Sequence, residues 1–458
     1  MNFIRKIFSP FCLSISLSIL IYTFYKSEIY HDGLRNHFYL PMYIISTLLI
    51  FFSIVSFFLA QKIKEYLIII SLSLVASLYI AETYLIIQNI NIVKKLPQLK
   101  KQIEIEKNIK KKLYETQTGK EYDTRSKLEI YEDLKKANNK IKLSVPPKKY
   151  LNDNLKLFPL SGVSNSKTIH CNENGYYSIY QSDRYGFNNP DAEWDNSEIE
   201  YLLIGDSLTH GACVNRPNDI GSVLRTLSNK SVLNLGSSDS GPLIEYATLR
   251  EYLNPNIKKV IWVYFINDMS FSHELKNEIL INYLNNLSYT QNLKSKQNDI
   301  DIIANAKIKK AKQKQVNYLT NLQQKKKKEK ESFKSIFIKF IKLYNLRFNI
   351  LPKEKPAPVA QFKKILKLTK DLTTKNNSKL YFVYLESYNH YGKNKIDTHY
   401  NLVKKIVKQL NIPFIDIHNE VFKKEKNPLE LFPFGFDGHY NVKGYRKTAE
   451  TIYKYTRN

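Results

Sequence analysis

Two groups of residues in this chain have the types and setting to do chemistry together: a serine in a tight polar turn, and an acid-glycine-histidine group far downstream. The serine stands in Ile199-Glu200-Tyr201-Leu202-Leu203-Ile204-Gly205-Asp206-Ser207-Leu208-Thr209-His210-Gly211, and the second group is Asp437-Gly438-His439. A serine hydroxyl is a weak nucleophile until a histidine takes its proton, and the histidine needs a carboxylate to orient it and stabilise its charged form. The expected roles are Ser207 as nucleophile, His439 as general base and Asp437 as the orienting acid. Asp206 and Asp268 read as acceptors of local turn hydrogen bonds. By itself, Gly205-Asp206-Ser207 also fits a strand-to-helix turn with an N-capping residue.

The elements that must hold these residues follow from the apolar runs. Tyr201 to Ile204 reads as a buried strand, with a glycine placed for a sharp exit. Ser231 to Gly236 is a second short strand with a glycine-rich end, and Val260 to Ile266 is a third that ends at Asn267-Asp268. Three strand ends then turn polar groups toward one edge, the carboxyl edge, where open α/β sheets hold their chemistry. Further on come a helix over 359–374, a strand over Leu380 to Leu385, a helix over 398–410, a short strand over 413–417 and a closing helix from near Val442. This alternation predicts an α/β fold with a parallel sheet in three α/β/α layers.

At these positions the chain resembles the SGNH (GDSL-type) hydrolase family. Gly205-Asp206-Ser207 matches the family's first block, Phe265-Ile266-Asn267-Asp268 approximates its third, and Asp437-Gly438-His439 matches its last. Tyr440-Asn441 and Lys443-Gly444-Tyr445 resemble its usual entry into the last helix. The resemblance spans roughly Glu200 to Tyr455 around a long insertion and implies a flavodoxin-like fold. It also implies an oxyanion site built from the Ser207 N–H, a backbone N–H in the turn from Asp239 to Gly241, and the Asn267 amide. Loss of one such donor costs about 3 kcal/mol in the transition state. Two departures stand out. Asp239 lies five residues after Asn234, where the family has glycine, with Gly236 and Gly241 on either side, and Phe265 replaces the glycine that leads the third block.

The activity so implied is hydrolysis of an acyl ester, acetyl first among them, on a cell-surface carbohydrate through an acyl-enzyme. Two alternatives stay open: an O-acyltransferase that moves an acetyl group onto an envelope polysaccharide, working with a membrane acyl-transfer partner, and a non-catalytic, membrane-anchored glycan-binding or assembly protein. No cofactor or metal is expected, because no thiol-histidine cluster or phosphate-cradling motif occurs.

Before this domain, residues 8–25, 38–60 and 66–88 are nearly free of charge and long enough to cross a hydrocarbon core of about 30 Å. Gln61-Lys62-Ile63-Lys64-Glu65 would join the second and third spans as a tight hairpin, and Glu82 is expected to snorkel or pair within the bundle. The first span competes with a cleaved signal peptide, but no small-residue cleavage pattern precedes the second. An inner-membrane, multi-pass protein is expected, its catalytic domain facing the periplasm or cell exterior. Arg5, Lys6, Lys62 and Lys64 then lie inside, while Lys94, Lys95, Lys100 and Lys101 oppose the usual charge bias. Cys12 falls in a span; Cys171 and Cys213 either form a disulfide stapling one segment over the site or are two unrelated thiols.

The formal charge of +28 comes mostly from lysine spread along the chain. Bidentate recognition of phosphates and bases favours arginine, so nucleic acid is not an expected partner, whereas a lipid bilayer and an acylated carbohydrate are. The expected organisation is a membrane anchor over 1–93, a juxtamembrane helical stalk over 94–145, and a catalytic domain over 146–458 with a helical insertion at about 270–356. Within that insertion, the polar stretch from Gln313 to Lys330 precedes an apolar helical stripe of Phe333, Ile336, Phe337, Phe340, Ile341 and Tyr344.

Overall fold

The computed structural model describes residues 2–30, 36–325, 333–350, 358–395, 397 and 399–457. The chain forms two compact units, Met1–Lys101 with Glu329–Pro356 and Gln102–Lys328 with Ala357–Asn458.

In the second unit, five strands form one sheet: β4 (Ile199–Gly205), β5 (Val232–Asn234), β6 (Ile257–Tyr264), β7 (Lys379–Tyr384) and β8 (Phe414–Asp416). Their order is β5-β4-β6-β7-β8, and every neighbouring pair is parallel. Alternate residues along a strand point to opposite faces, so a strand covered on both faces must be apolar throughout. One face carries Leu202, Ile204, Val260, Trp262, Phe382 and Tyr384, which pack with residues of the helices Pro242–Tyr252 and Val359–Lys375. The other carries Tyr201, Leu203, Ile261, Val263, Tyr381 and Val383, which pack with the helices Ile220–Ser228 and Val442–Thr456. Helices thus cover both faces of a parallel sheet, in keeping with the expected α/β layering.

The strand order also locates a crevice. The chain leaves β4 toward β5 on one side and then crosses back to β6 on the other, so successive connections diverge at the carboxyl end of β4. Such divergence opens a groove at the carboxyl edge of a parallel sheet. Register brings Gly205 of β4 opposite Val263 of β6, and Tyr264 of β6 opposite Tyr384 of β7.

A second, three-stranded sheet precedes this one, and no apolar run signals it. Here β1 (Ile141–Leu143) pairs parallel with β2 (Lys167–Ile169), which pairs antiparallel with β3 (Ile179–Gln181). Ile141 and Ile169 pack with Ile130 and Tyr131, and with Ala304 and Ile308 of the helix Gln297–Lys325.

The expected insertion at 270–356 divides between the units. Helices Glu278–Asn285 and Gln297–Lys325 belong to the second, whereas Phe333–Ile341 and Tyr344–Ile350 belong to the first. Residues 326–330 of the lysine-rich stretch, and the side chains of Phe333 and Ile336, lie outside the described residues.

In the first unit, the segments Lys6–Ile29, Tyr39–Phe57 and Gln61–Gln88 are helices long and apolar enough to cross a membrane. The third belongs to a single helix, Gln61–Thr118, that also includes the first part, 94–118, of the expected stalk. Ser16 and Ser53 join the first two segments through a 3.2 Å hydroxyl contact, a small polar link of the kind that fastens helices in lipid.

Leu202 in the middle of β4 is fully buried. Leu202→Ala is expected to destabilise the second unit by about 2–5 kcal/mol, as cavity-forming core truncations do. Lys258→Ala, which removes only an exposed ion pair with Glu198, is expected to change stability by less than about 0.5 kcal/mol. Unfolding midpoints of the two variants in detergent micelles check the contrast.

Candidate active site

Ser207 is held where β4 breaks into a short helix. Gly205 has φ +150°, and a Cβ there would lie 2.1 Å from Thr209 Oγ1 and 2.3 Å from the Val263 carbonyl. Only a glycine lets β4 turn so closely against both the following helix and the neighbouring strand. Asp206 then caps the helix Ser207–His210, its side chain accepting the Leu208 N–H at 3.0 Å. Asp206 is therefore a turn acceptor, and burial raises its carboxyl above the usual range. Ser207 follows as the first helical residue, with its hydroxyl at the carboxyl edge of the sheet.

His439 reaches this edge from the other end of the chain because its neighbours are tied down. The Tyr440 hydroxyl donates to the Glu386 carbonyl at 2.6 Å and accepts the Glu386 N–H at 3.0 Å, just beyond the end of β7. Asn441 caps the last helix by accepting the Gly444 N–H at 3.0 Å, and the Tyr445 hydroxyl donates to the Ala212 carbonyl at 3.0 Å. The last helix is thereby fixed to the segment that follows Ser207. His439 Nε2 lies 2.9 Å from Ser207 Oγ.

The carboxylate on the far side of the ring is Glu173, in place of the expected Asp437. His439 Nδ1 lies 2.9 Å from Glu173 Oε1, and the backbone N–H of His439 donates to Glu173 Oε2 at 2.6 Å. With its proton on Nδ1, toward the carboxylate, the ring presents a bare Nε2 to the serine, the tautomer a general base requires. Gly438 makes room for this arrangement, since a Cβ there would lie 2.7 Å from Glu173 Oε2. Asp437 instead turns outward and binds Lys393 Nζ at 2.6 Å, with its side chain half exposed. The two-residue offset from His439 does not carry its carboxylate back to the ring, and a different chain segment fills that position.

That segment is clamped on every side. Cys171 and Cys213 form a disulfide with Cα atoms 4.9 Å apart. Asn174 Nδ2 donates to the Cys213 carbonyl at 3.0 Å, and Asn172 Nδ2 to the Asp123 carbonyl at 2.8 Å. Glu173 thus sits two residues from a covalent link to the segment carrying Ser207. Nothing in the Ser-His-Asp pattern points to it; the available signal was its place beside Cys171, in a segment a disulfide would hold over the site.

Charge follows this geometry. Burial alone would lower the His439 pKa, but the hydrogen bond and negative charge of Glu173 outweigh it and raise the ring above its ordinary value. Burial alone would raise Glu173, and His439 holds it below the ordinary carboxylate value. Behind the site, burial keeps His210 low, at about 4, so it stays neutral near neutral pH.

The proposed oxyanion donors are placed unequally. Ser207 N–H opens a helix, where no earlier carbonyl is available to it. Asp239 is exposed, has φ +60°, and its N–H has no protein acceptor among the described residues. Gly241 does not serve, because its N–H already donates to Glu274 Oε1 at 2.7 Å at the start of the helix Pro242–Tyr252. Asn267 is exposed on the turn Ile266–Met269 after β6. Asp268 Oδ2 accepts the Phe265 N–H at 2.7 Å and braces that turn, in the structural role expected of it.

Glu173→Gln is expected to lower kcat/KM by about 10²–10⁴-fold, as losing the orienting charge of a triad does. A base must be neutral to act, so ester hydrolysis is expected to fall as pH drops through the raised pKa of His439. Glu173→Gln removes the charge that does most to raise it and should move that acid limb to lower pH, whereas Asp437→Asn should leave both rate and limb nearly unchanged. Rate–pH profiles with a short acyl ester check both variants.

No known family profile and no curated protein matches the sequence. Among solved structures, the chain is similar to a putative lipolytic protein of the G-D-S-L family from Desulfitobacterium hafniense DCB-2, at 14% identity over 56% of this chain and 99% of that one, with a TM-score of 0.32. It is similar also to the lipase/acylhydrolase from Enterococcus faecalis, at 11% identity over 56% and 94% of the two chains, with a TM-score of 0.33. A third similar structure is an acetyl xylan esterase, AlAXEase, at 14% identity over 56% and 99%, with a TM-score of 0.31.

Proposed function

We propose that this chain is a membrane-anchored serine hydrolase of ester bonds with an SGNH-type catalytic domain. The observation that carries the reading is the line of contacts from Ser207 Oγ to His439 Nε2 and from His439 Nδ1 to Glu173 Oε1, each 2.9 Å. The strand order β5-β4-β6-β7-β8, which is the flavodoxin-like order, supports the fold assignment.

As Ser207 Oγ bonds to the acyl carbon, its proton passes to His439 Nε2, and Glu173 stabilises the imidazolium. The Ser207 and Asp239 N–H groups, with the Asn267 amide, receive the charge that develops on the acyl oxygen. His439 then gives its proton to the departing alkoxide oxygen as the ester C–O bond breaks, leaving an acyl-serine. Water, losing a proton to the same Nε2, attacks the acyl carbon, and Ser207 leaves with that proton.

The substrate we infer is an acylated, chiefly acetylated, surface carbohydrate. A cleft of about 700 Å³ supports this reading; it borders the Glu173 segment and is lined by Tyr114, Tyr176, Phe434, Gln117, Asn174 and Asn427. Aromatic faces with amide groups between them suit sugar rings and their hydroxyls. A sugar hydroxyl that reached the acyl-serine in place of water would take the acyl group, and the chain would then act as an O-acyltransferase. The disulfide supports placing the catalytic unit on the exported side of the inner membrane, since such bonds persist in oxidising compartments.

A serine-directed fluorophosphonate is expected to label the purified full chain and not Ser207→Ala, which should also lose ester hydrolysis by at least about 10³-fold. Folded parent protein that neither labels nor hydrolyses short acyl esters would overturn the proposal. With acetylated polysaccharide, free acetate marks the esterase and acetate on an added glycan marks the transferase.

A further inference from the structure

Glu82 lies near the end of the helical segment Gln61–Gln88 and is fully buried. A carboxylate at such a place is costly unless donors reach it. Three do. Glu82 Oε1 accepts the Asn345 N–H at 3.0 Å and Asn345 Nδ2 at 2.8 Å, and Oε2 accepts the Leu346 N–H at 2.7 Å. These donors open the helix Tyr344–Ile350, which follows the helix Phe333–Ile341. Tyr79, three residues before Glu82 and so on the same helix face, donates its hydroxyl to the Ile341 carbonyl at 3.2 Å and sets its ring 5.0 Å from that of Phe340. A pair of helices distant in sequence is thus fastened to the third membrane-length segment.

Several large apolar groups of the pair are exposed. Phe337, Ile338, Ile341 and Tyr344 are 52%, 41%, 51% and 45% exposed. The helix that holds them is also apolar on the face turned away from the pair, where Ile80 and Tyr84, two residues to either side of Glu82, are 70% and 60% exposed. Lys339, Lys342 and Arg347 are interspersed among them in the sequence. Apolar groups with interspersed cations are the composition of a helix lying in the boundary between acyl chains and anionic headgroups.

We propose that Phe333–Ile350 is a membrane-surface element, a helix pair that lies in the headgroup boundary at the end of the third span and takes lipid as its partner. This rests on the reading that Gln61–Gln88 crosses the bilayer. The chain then returns to the membrane between β6 and β7, within the sequence of its catalytic sheet.

The test is tryptophan quenching in the full chain, reconstituted into vesicles of equal parts phosphatidylcholine and phosphatidylglycerol, with or without bromine placed high in the acyl chains. Phe337→Trp reports on the helix pair and Phe52→Trp on the second span, each read as the difference from the parent, whose tryptophans Trp194 and Trp262 belong to the other unit. The proposal expects bromine to remove about half of the added emission at both positions, as burial at acyl-chain depth does. Quenching of Phe52→Trp without quenching of Phe337→Trp would overturn it, including the case in which another protein covers the face. Absence of quenching at both would instead sink the membrane reading, and the proposal with it. As a second measurement, Glu82→Ala should speed hydrogen exchange at the Asn345 and Leu346 amides by about 10-fold; unchanged exchange would show that Glu82 does not hold the pair.

Discussion

The candidate site depends on one carboxylate that receives two N–H groups from a single histidine. Because Glu173 accepts both the ring and the backbone N–H of His439, it fixes where the imidazole is and which way it faces. A single hydrogen bond to the ring would leave the residue free to swing. The two hydrogen bonds together also require the chain before His439 to pass within contact distance of the carboxylate, which Gly438 allows and a side chain there would block. The glycine of the downstream motif is therefore a packing requirement of an acid brought from another part of the chain.

The sheet supplies the remaining constraints. Glycine at the end of β4 sets the serine against β6, and Tyr440 and Tyr445 tie the histidine to the end of β7 and to the segment after the serine. The tyrosine bonds join groups far apart in sequence, so the site forms only when the whole sheet has closed. The buried acids of the same edge brace its turns: Asp206 caps the helix that Ser207 opens and Asp268 holds the Phe265 turn.

Much of the parallel sheet was legible in the sequence because strands covered on both faces read as apolar runs, as β4, β6 and β7 do over Tyr201–Ile204, Val260–Tyr264 and Leu380–Tyr384. Strands β1 to β3 have three residues each, too few for a period to declare itself. Ser207 and His439 could be singled out because each lies in a compact motif at an element's end. Glu173 could not, since its relation to His439 exists only in space, and the nearby Asp437 offered a plausible substitute that Lys393 in fact holds. The apolar stripe that includes Phe337, Phe340 and Ile341 showed that one helix face is apolar, but periodicity does not say what that face meets. The answer lay in Glu82 and Tyr79, whose partners in that region lie 264 and 262 residues away in sequence.

The disulfide bears on how the acid is held to the rest of the site. It closes a loop of 42 residues that contains Ser207 and has Glu173 just inside its opening, and in the chain-entropy picture such a closure restricts the unfolded chain by roughly 4 kcal/mol. A newly made chain with both thiols reduced holds the acid in place by hydrogen bonds alone. In the oxidised chain Glu173 cannot drift far from the segment that carries Ser207 even when those bonds open, so the link limits how far the acid can stray from His439.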